Sequence, residues 1–191
     1  MRHSSLPSWC PSPWVLIDLT PPVSGRPLVV RTADEALLVE DPPVTHYQSR
    51  TDLVQLTLRG YRDEESGMRG YHVSVLGLDG FPLALEQYFQ HSGLILLPLP
   101  MAHETAFYVR VRAVNAAGLE AASTSEVVIV DATPPIVSFV GDFGVGAEEL
   151  DLVRGPDVVW VVTWEVYDED SGIEDMTVCL GAFASMCDVV P

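Results

Sequence analysis

Apolar and polar residues alternate with a period of two along most of this chain. Val54, Leu56 and Leu58 alternate with Gln55, Thr57 and Arg59, Tyr71, Val73 and Val75 with His72 and Ser74, and Phe107, Val109, Val111 and Ala113 with Tyr108, Arg110 and Arg112. Successive side chains of an extended strand point to opposite faces, so each run predicts a strand with one buried face. Leu28-Val29-Val30 and Gly93 to Leu99 predict two more, and Leu37-Leu38-Val39 with Asp41-Pro42-Pro43 an edge segment protected by its prolines. Leu83 to Phe89 is ambiguous from its residues, since Ala84 to Phe89 would suit a helical turn by propensity as well as a short strand. Val128 and Val130 resume the inward stripe until Pro134-Pro135, which cannot donate to a ladder, ends it. Turn chemistry separates the runs at Arg62 to Gly67, Pro100 to Thr105 and Asn115 to Gly118. Further on, Val158, Trp160, Val162, Trp164 and Val166 form a heavy stripe, and Met176, Val178 and Leu180 alternate with Thr177 and Cys179, with Gly144 to Leu150 as loop or short edge. Short strands with turn signals and no long amphipathic helix predict an all-β chain built as an antiparallel β-sandwich.

Two markers recur. Trp14-Val15-Leu16-Ile17-Asp18-Leu19-Thr20-Pro21-Pro22 matches Val127 to Pro135 position for position, with Asp18 standing 113 residues before Asp131. Asp63-Glu64-Glu65-Ser66-Gly67-Met68 is echoed by Asp168-Glu169-Asp170-Ser171-Gly172-Ile173, 105 residues on. Independent markers repeating at nearly one module length predict a tandem array. On this reading residues 1–22 are the last strand, from Ser12 to Ile17, and the linker of a preceding module, 23–135 a complete module, and 136–191 the N-terminal part of a further one. The terminal modules are then incomplete, and Ile136 to Pro191 lacks counterparts of the strands from Gly93 through Asp131.

The run from Phe107 to Leu119, followed by Ser125 to Asp131 and Ala132-Thr133-Pro134-Pro135, resembles the fibronectin type III family in its tandem form, whose modules read "YxVxVRAxNxAGL…S…VxVDxTPP". The resemblance covers most of Asp18 to Pro135 and implies an immunoglobulin-like, fibronectin type III-like sandwich. It departs at Phe107, where the family often carries a tyrosine whose hydroxyl bonds back to the backbone. Phe107 fills the volume without that bond, a loss of about 1 kcal/mol against a larger gain from burial. The function implied is that of a non-catalytic structural or adhesive module of a larger extracellular or cell-surface repeat protein, with protein or glycan partners. An accessory domain of a larger secreted enzyme is an alternative.

Charge narrows the partners. There are 27 acidic residues against 10 basic ones, all arginine, for a formal net charge of -17, which repels phosphate backbones and anionic headgroups. Nucleic acid is therefore not an expected partner. The longest apolar runs are strand-length, so no membrane insertion is expected either. No signal peptide is visible at Met1 to Pro7. The 3 cysteines, Cys10, Cys179 and Cys187, leave their pairing open. His3, His46, His72, His91 and His103 fall singly, without zinc-ligand spacing, and no Gly-x-Ser-x-Gly elbow or phosphate loop occurs, so no enzymatic activity is expected. His72, Ser74, Arg110 and Arg112 are expected on the outward face of one sheet, most simply as a solvated face.

The acidic loops are the one place with candidate ligands. In a sandwich of this type the loop between the second and third strands lies where the preceding linker enters, which brings Asp63 and Glu65 near Asp18, and Asp168 and Asp170 near Asp131. Converging carboxylates in irregular loops suit Ca²⁺, a hard cation with tolerant geometry, at roughly 10⁻⁴ to 10⁻³ M affinity. A calcium-stiffened repeat with cation sites at the boundaries is thus the second alternative, and no other cofactor is expected.

Overall fold

The computed structural model describes residues 17–30, 46–143, 161–179, 181 and 187. Every helix or strand among them is a strand, and the chain divides into two compact units, Met1–Val130 and Asp131–Pro191.

The first unit contains β1 (Arg26–Val29), β2 (Tyr47–Gln48), β3 (Leu53–Arg59), β4 (Met68–Gly77), β5 (Gln87–Phe89), β6 (Leu94–Pro98), β7 (Ala106–Asn115), β8 (Glu120–Thr124) and β9 (Val128–Val130). One antiparallel sheet runs β1-β3-β6, and a second runs β2-β9-β7-β4-β5 with β8 also on β7. Only the short β2–β9 contact is parallel among these pairs. The period-two stripes explain why two sheets form. Val54, Leu56, Ile95 and Leu97 of the first sheet and Val73, Val75, Phe107, Val109, Val111, Val128 and Val130 of the second bury into one shared core, a sandwich-like arrangement in which each sheet removes the other's apolar face from water. β8 and β9 take successive stretches of the same edge of β7. Between them Ser125 bridges the break, its amide donating to Val109 O at 2.8 Å and its hydroxyl accepting from Val109 N at 2.9 Å.

Some elements differ from the sequence expectation. β1 begins at Arg26 rather than Leu28, and β5 is confined to Gln87–Phe89. β8 was not indicated by any apolar stripe. In the second unit β10 (Ile136–Phe143) and β11 (Val161–Tyr167) form a two-stranded antiparallel sheet. The expected strand at Met176 to Leu180 is not formed over its described residues, and among the described residues β10 and β11 pair only with each other. Met176 and Val178 are accordingly exposed. Cys179 and Cys187 are joined by a disulfide. The expected elements at Ser12 to Leu16, Leu37 to Val39, Asp41 to Pro43 and Gly144 to Leu150, with Val158, Trp160, Leu180 and Cys10, lie outside the described residues. Among the described residues no helix is long and apolar enough to cross a membrane.

Candidate functional site

Asp18 begins a chain of hydrogen bonds that ties the linker to the first unit. Its Oδ1 accepts from the Thr20 amide at 2.9 Å and the Thr20 hydroxyl at 3.2 Å, the local turn that Asp favours because its side chain mimics a backbone acceptor. Pro21 and Pro22 follow, and the Val23 amide then donates to Arg62 O at 2.8 Å. The linker thus runs into the loop after β3.

That loop is folded by Asp63. Its Oδ1 accepts from the amides of Glu65, Ser66 and Gly67 at 3.1, 2.8 and 3.1 Å. Gly67 has φ 77°, a left-handed conformation that glycine adopts without a Cβ penalty. The turn aims Ser66 at the linker, and its hydroxyl donates to Asp18 Oδ2 at 2.5 Å. The Thr20 hydroxyl also lies 2.5 Å from Glu65 Oε2.

Asn115 joins the two carboxylates. It is the last residue of β7, fully buried, and the only asparagine in the chain. Its Nδ2 donates to Asp18 Oδ2 at 2.8 Å, Thr20 O at 3.0 Å and Asp63 Oδ2 at 3.1 Å, while Oδ1 accepts from the Leu119 amide at 2.8 Å. Two N–H bonds therefore serve three acceptors. The hydrogen bond from Ser66, then that from the Thr20 amide, hold the Asp18 carboxyl below its usual 3.8 against the upward push of desolvation. Asn115, then the Ser66 amide, do the same for Asp63. Both stay ionised and bridged by neutral donors.

The second unit repeats the backbone part of this arrangement. Asp131 Oδ1 accepts from the Thr133 amide at 3.0 Å and its hydroxyl at 2.7 Å. Asp168 Oδ1 accepts from the amides of Asp170, Ser171 and Gly172 at 3.1, 2.8 and 3.1 Å, and Gly172 has φ 74°. The Thr133 hydroxyl donates to Asp170 Oδ2 at 3.1 Å, where Thr20 meets Glu65. Here Asp131, Asp168 and Asp170 each bring a carboxylate oxygen within 4.8 Å of the others, whereas Asp18, Asp63 and Glu65 form no such group. Of the two expected sets of three acidic residues, only Asp131, Asp168 and Asp170 converge in this way. In the first, the Asn115 amide stands between Asp18 and Asp63.

Asn115 was legible only as a turn residue, and its buried amide left no pattern beyond its place at the end of the alternating run. Ser66 was expected to bond nearby amides, but its hydroxyl reaches across 48 positions to Asp18. The expected outward face is formed, with His72 opposite Arg112 and Ser74 opposite Arg110. Arg112 is held there between carboxylates, its Nη2 2.8 Å from Glu86 and its Nη1 3.0 Å from Glu120. Such exposed pairs fix geometry more than they add stability. No protein-family model matches the chain, and no curated protein matches it.

Proposed function

We propose that this chain is part of a tandem array of fibronectin type III-like, immunoglobulin-like modules, acting as a non-catalytic structural or adhesive unit of a larger extracellular or cell-surface protein. One observation carries the reading. The Asp-x-Thr-Pro-Pro linker and the Asp-x-x-Ser-Gly loop each occur twice with the same internal hydrogen bonds, the loop distances agreeing pair by pair, and in both the linker threonine hydroxyl meets an acidic residue of the loop. A linker fastened in the same way in successive modules sets where each module begins, which is what an array needs to hold its spacing. The Cys179–Cys187 disulfide suits an oxidising compartment. The test is protease treatment of intact producing cells. Loss of the protein under conditions that spare a cytosolic marker is expected, and equal protection of both would sink the reading.

Calcium is a second reading because the carboxylates of Asp131, Asp168 and Asp170 converge. On the structural reading, calorimetric titration of the full chain with Ca²⁺ gives no saturable heat up to about 1 mM, the weak end of extracellular calcium modules, and the melting temperature is the same with a chelator. A saturable heat that disappears in Asp168→Asn with Asp170→Asn would put the calcium reading in its place.

A further inference from the structure

Arg69 interrupts the ladder between β4 and β7. The register passes from Met68↔Asn115 to Gly70↔Val114, leaving Arg69 as the extra residue of a bulge, a distortion that re-aims a side chain. The next residue is glycine for a steric reason. A Cβ on Gly70 would stand 2.3 Å from Tyr88 Oη and 2.7 Å from Phe89 O. Tyr88 therefore lies close over the Gly70 backbone, with its hydroxyl donating to Arg69 O at 2.8 Å. His72 props it from the side, with ring centroids 5.1 Å apart and planes at 55°.

Arg69, His72 and Tyr88, with Gln90, Val114, Gly118 and Glu120, line a cleft of about 520 Å³, within the size range of small-ligand sites. The charges in it are uneven. Glu120 is engaged by Arg112, whereas Arg69 has no carboxylate partner among the described residues, although the chain holds 27 acidic residues. An uncompensated guanidinium beside a half-exposed aromatic ring, an amide and a carboxylate is a set matched to an anion that also carries an apolar ring face and hydroxyls.

We propose that this cleft binds a hexuronic acid unit, either a free sugar acid or one within a polysaccharide. The Arg69 guanidinium meets the sugar carboxylate with its paired N–H donors. The pyranose face lies on the Tyr88 ring, and Gln90 and Glu120 meet ring hydroxyls, which both donate and accept. A bare carboxylate would use Arg69 alone, and a neutral sugar would leave it unmatched. The inference rests on the reading of the unit as a non-catalytic binding module and names its ligand class.

The experiment is a heteronuclear NMR titration of the full chain with glucuronate, with glucose and acetate as controls and oligoglucuronate as the polymeric arm. Saturable shifts at Arg69, Gly70 and Gln90 are expected with about millimolar Kd, the affinity of a few polar contacts. Glucose, acetate and the Arg69→Ala variant are each expected to bind about tenfold more weakly or worse. Tighter binding of the oligomer marks a polymer as the source, and equal binding marks the free acid. Because Tyr88 also helps seat β5, Gln90→Ala serves as the second variant and is expected to weaken binding with an unchanged fold. No saturable shift at about 50 mM, far above the expected Kd, overturns the site. So does acetate binding as well as glucuronate, or no effect of Arg69→Ala. Chemical alteration of the recovered sugar would overturn the non-catalytic reading and not the site.

Discussion

Replacing Phe107 by alanine is expected to remove about 3–5 kcal/mol of stability from the first unit, the range for deleting a buried aromatic side chain. Among the described residues Phe107 is the largest of the fully buried side chains, and it sits where β7 is held on both edges, opposite Gly77 of β4 and Val128 of β9. Its ring packs into the core to which both sheets contribute. The cavity has rigid walls, because the strands that line it are hydrogen-bonded to their neighbours and cannot collapse inward independently. Against a typical total of about 5–15 kcal/mol, the loss brings the unit close to unfolding. Phe107→Leu keeps much of the volume and is expected to cost about half as much. Urea denaturation is the check, with a lower midpoint and an unchanged slope. A Phe107→Ala midpoint indistinguishable from that of the parent chain would show that the two sheets do not share this core.

Asn115→Ala is expected to cost about 2–4 kcal/mol, more than an average surface change, because a buried group with several partners leaves each of them unsatisfied. The Asp18 and Asp63 carboxylates lose the donor between them, and the Leu119 amide loses its acceptor. The variant should also respond differently to acid. Asp18 and Asp63 have folded-state pKa values depressed below 3.8, so the unfolded chain binds protons first as pH falls. Their stabilising effect is full above about pH 5 and is lost progressively through and below 3.8. In Asn115→Ala the depression of Asp63, whose largest cause is Asn115, is relieved. The acid-dependent loss of stability should therefore be shallower than in the parent chain. Urea midpoints measured from pH 7 down to about pH 3 test this, and parallel curves for the two proteins would refute it.

The interior strands of the first unit are legible in the sequence because burial on one face imposes alternation. Val54 and Leu56, Val73 and Val75, and Val109 and Val111 are all inward as their spacing requires. β8 is not legible for the opposite reason. Glu120-Ala121-Ala122-Ser123-Thr124 has no strong apolar stripe, and it forms a strand because the edge of β7 from Arg110 to Val114 offers backbone partners. β2 has only two residues, too few to carry a pattern. Met176 and Val178 err in the other direction, since alternation states that a face is apolar but not that a neighbouring strand exists. At the linkers the repeated acidic markers pointed to the loops that carry Asp63 and Asp168, but of the two sets only Asp131, Asp168 and Asp170 converge, and Asn115 stands between Asp18 and Asp63. Asn115 escaped because asparagine before Ala-Ala-Gly is fully explained by a turn. Arg69 and Tyr88 escaped because a bulge leaves no mark on a two-residue period.

Tension entering along the chain ahead of Asp18 meets the bonds to Ser66 and Asn115 before it meets β1. Those bonds leave one short segment toward a common anchor and share the load, whereas the register from Arg26↔Arg59 to Val29↔Leu56 would open one pair at a time if pulled from its end. Forced unfolding is governed by the unfolding rate rather than by equilibrium stability. A load along the chain is therefore first met by a serine, an asparagine and an aspartate, while resistance to heat rests on the valines and the phenylalanine between the sheets.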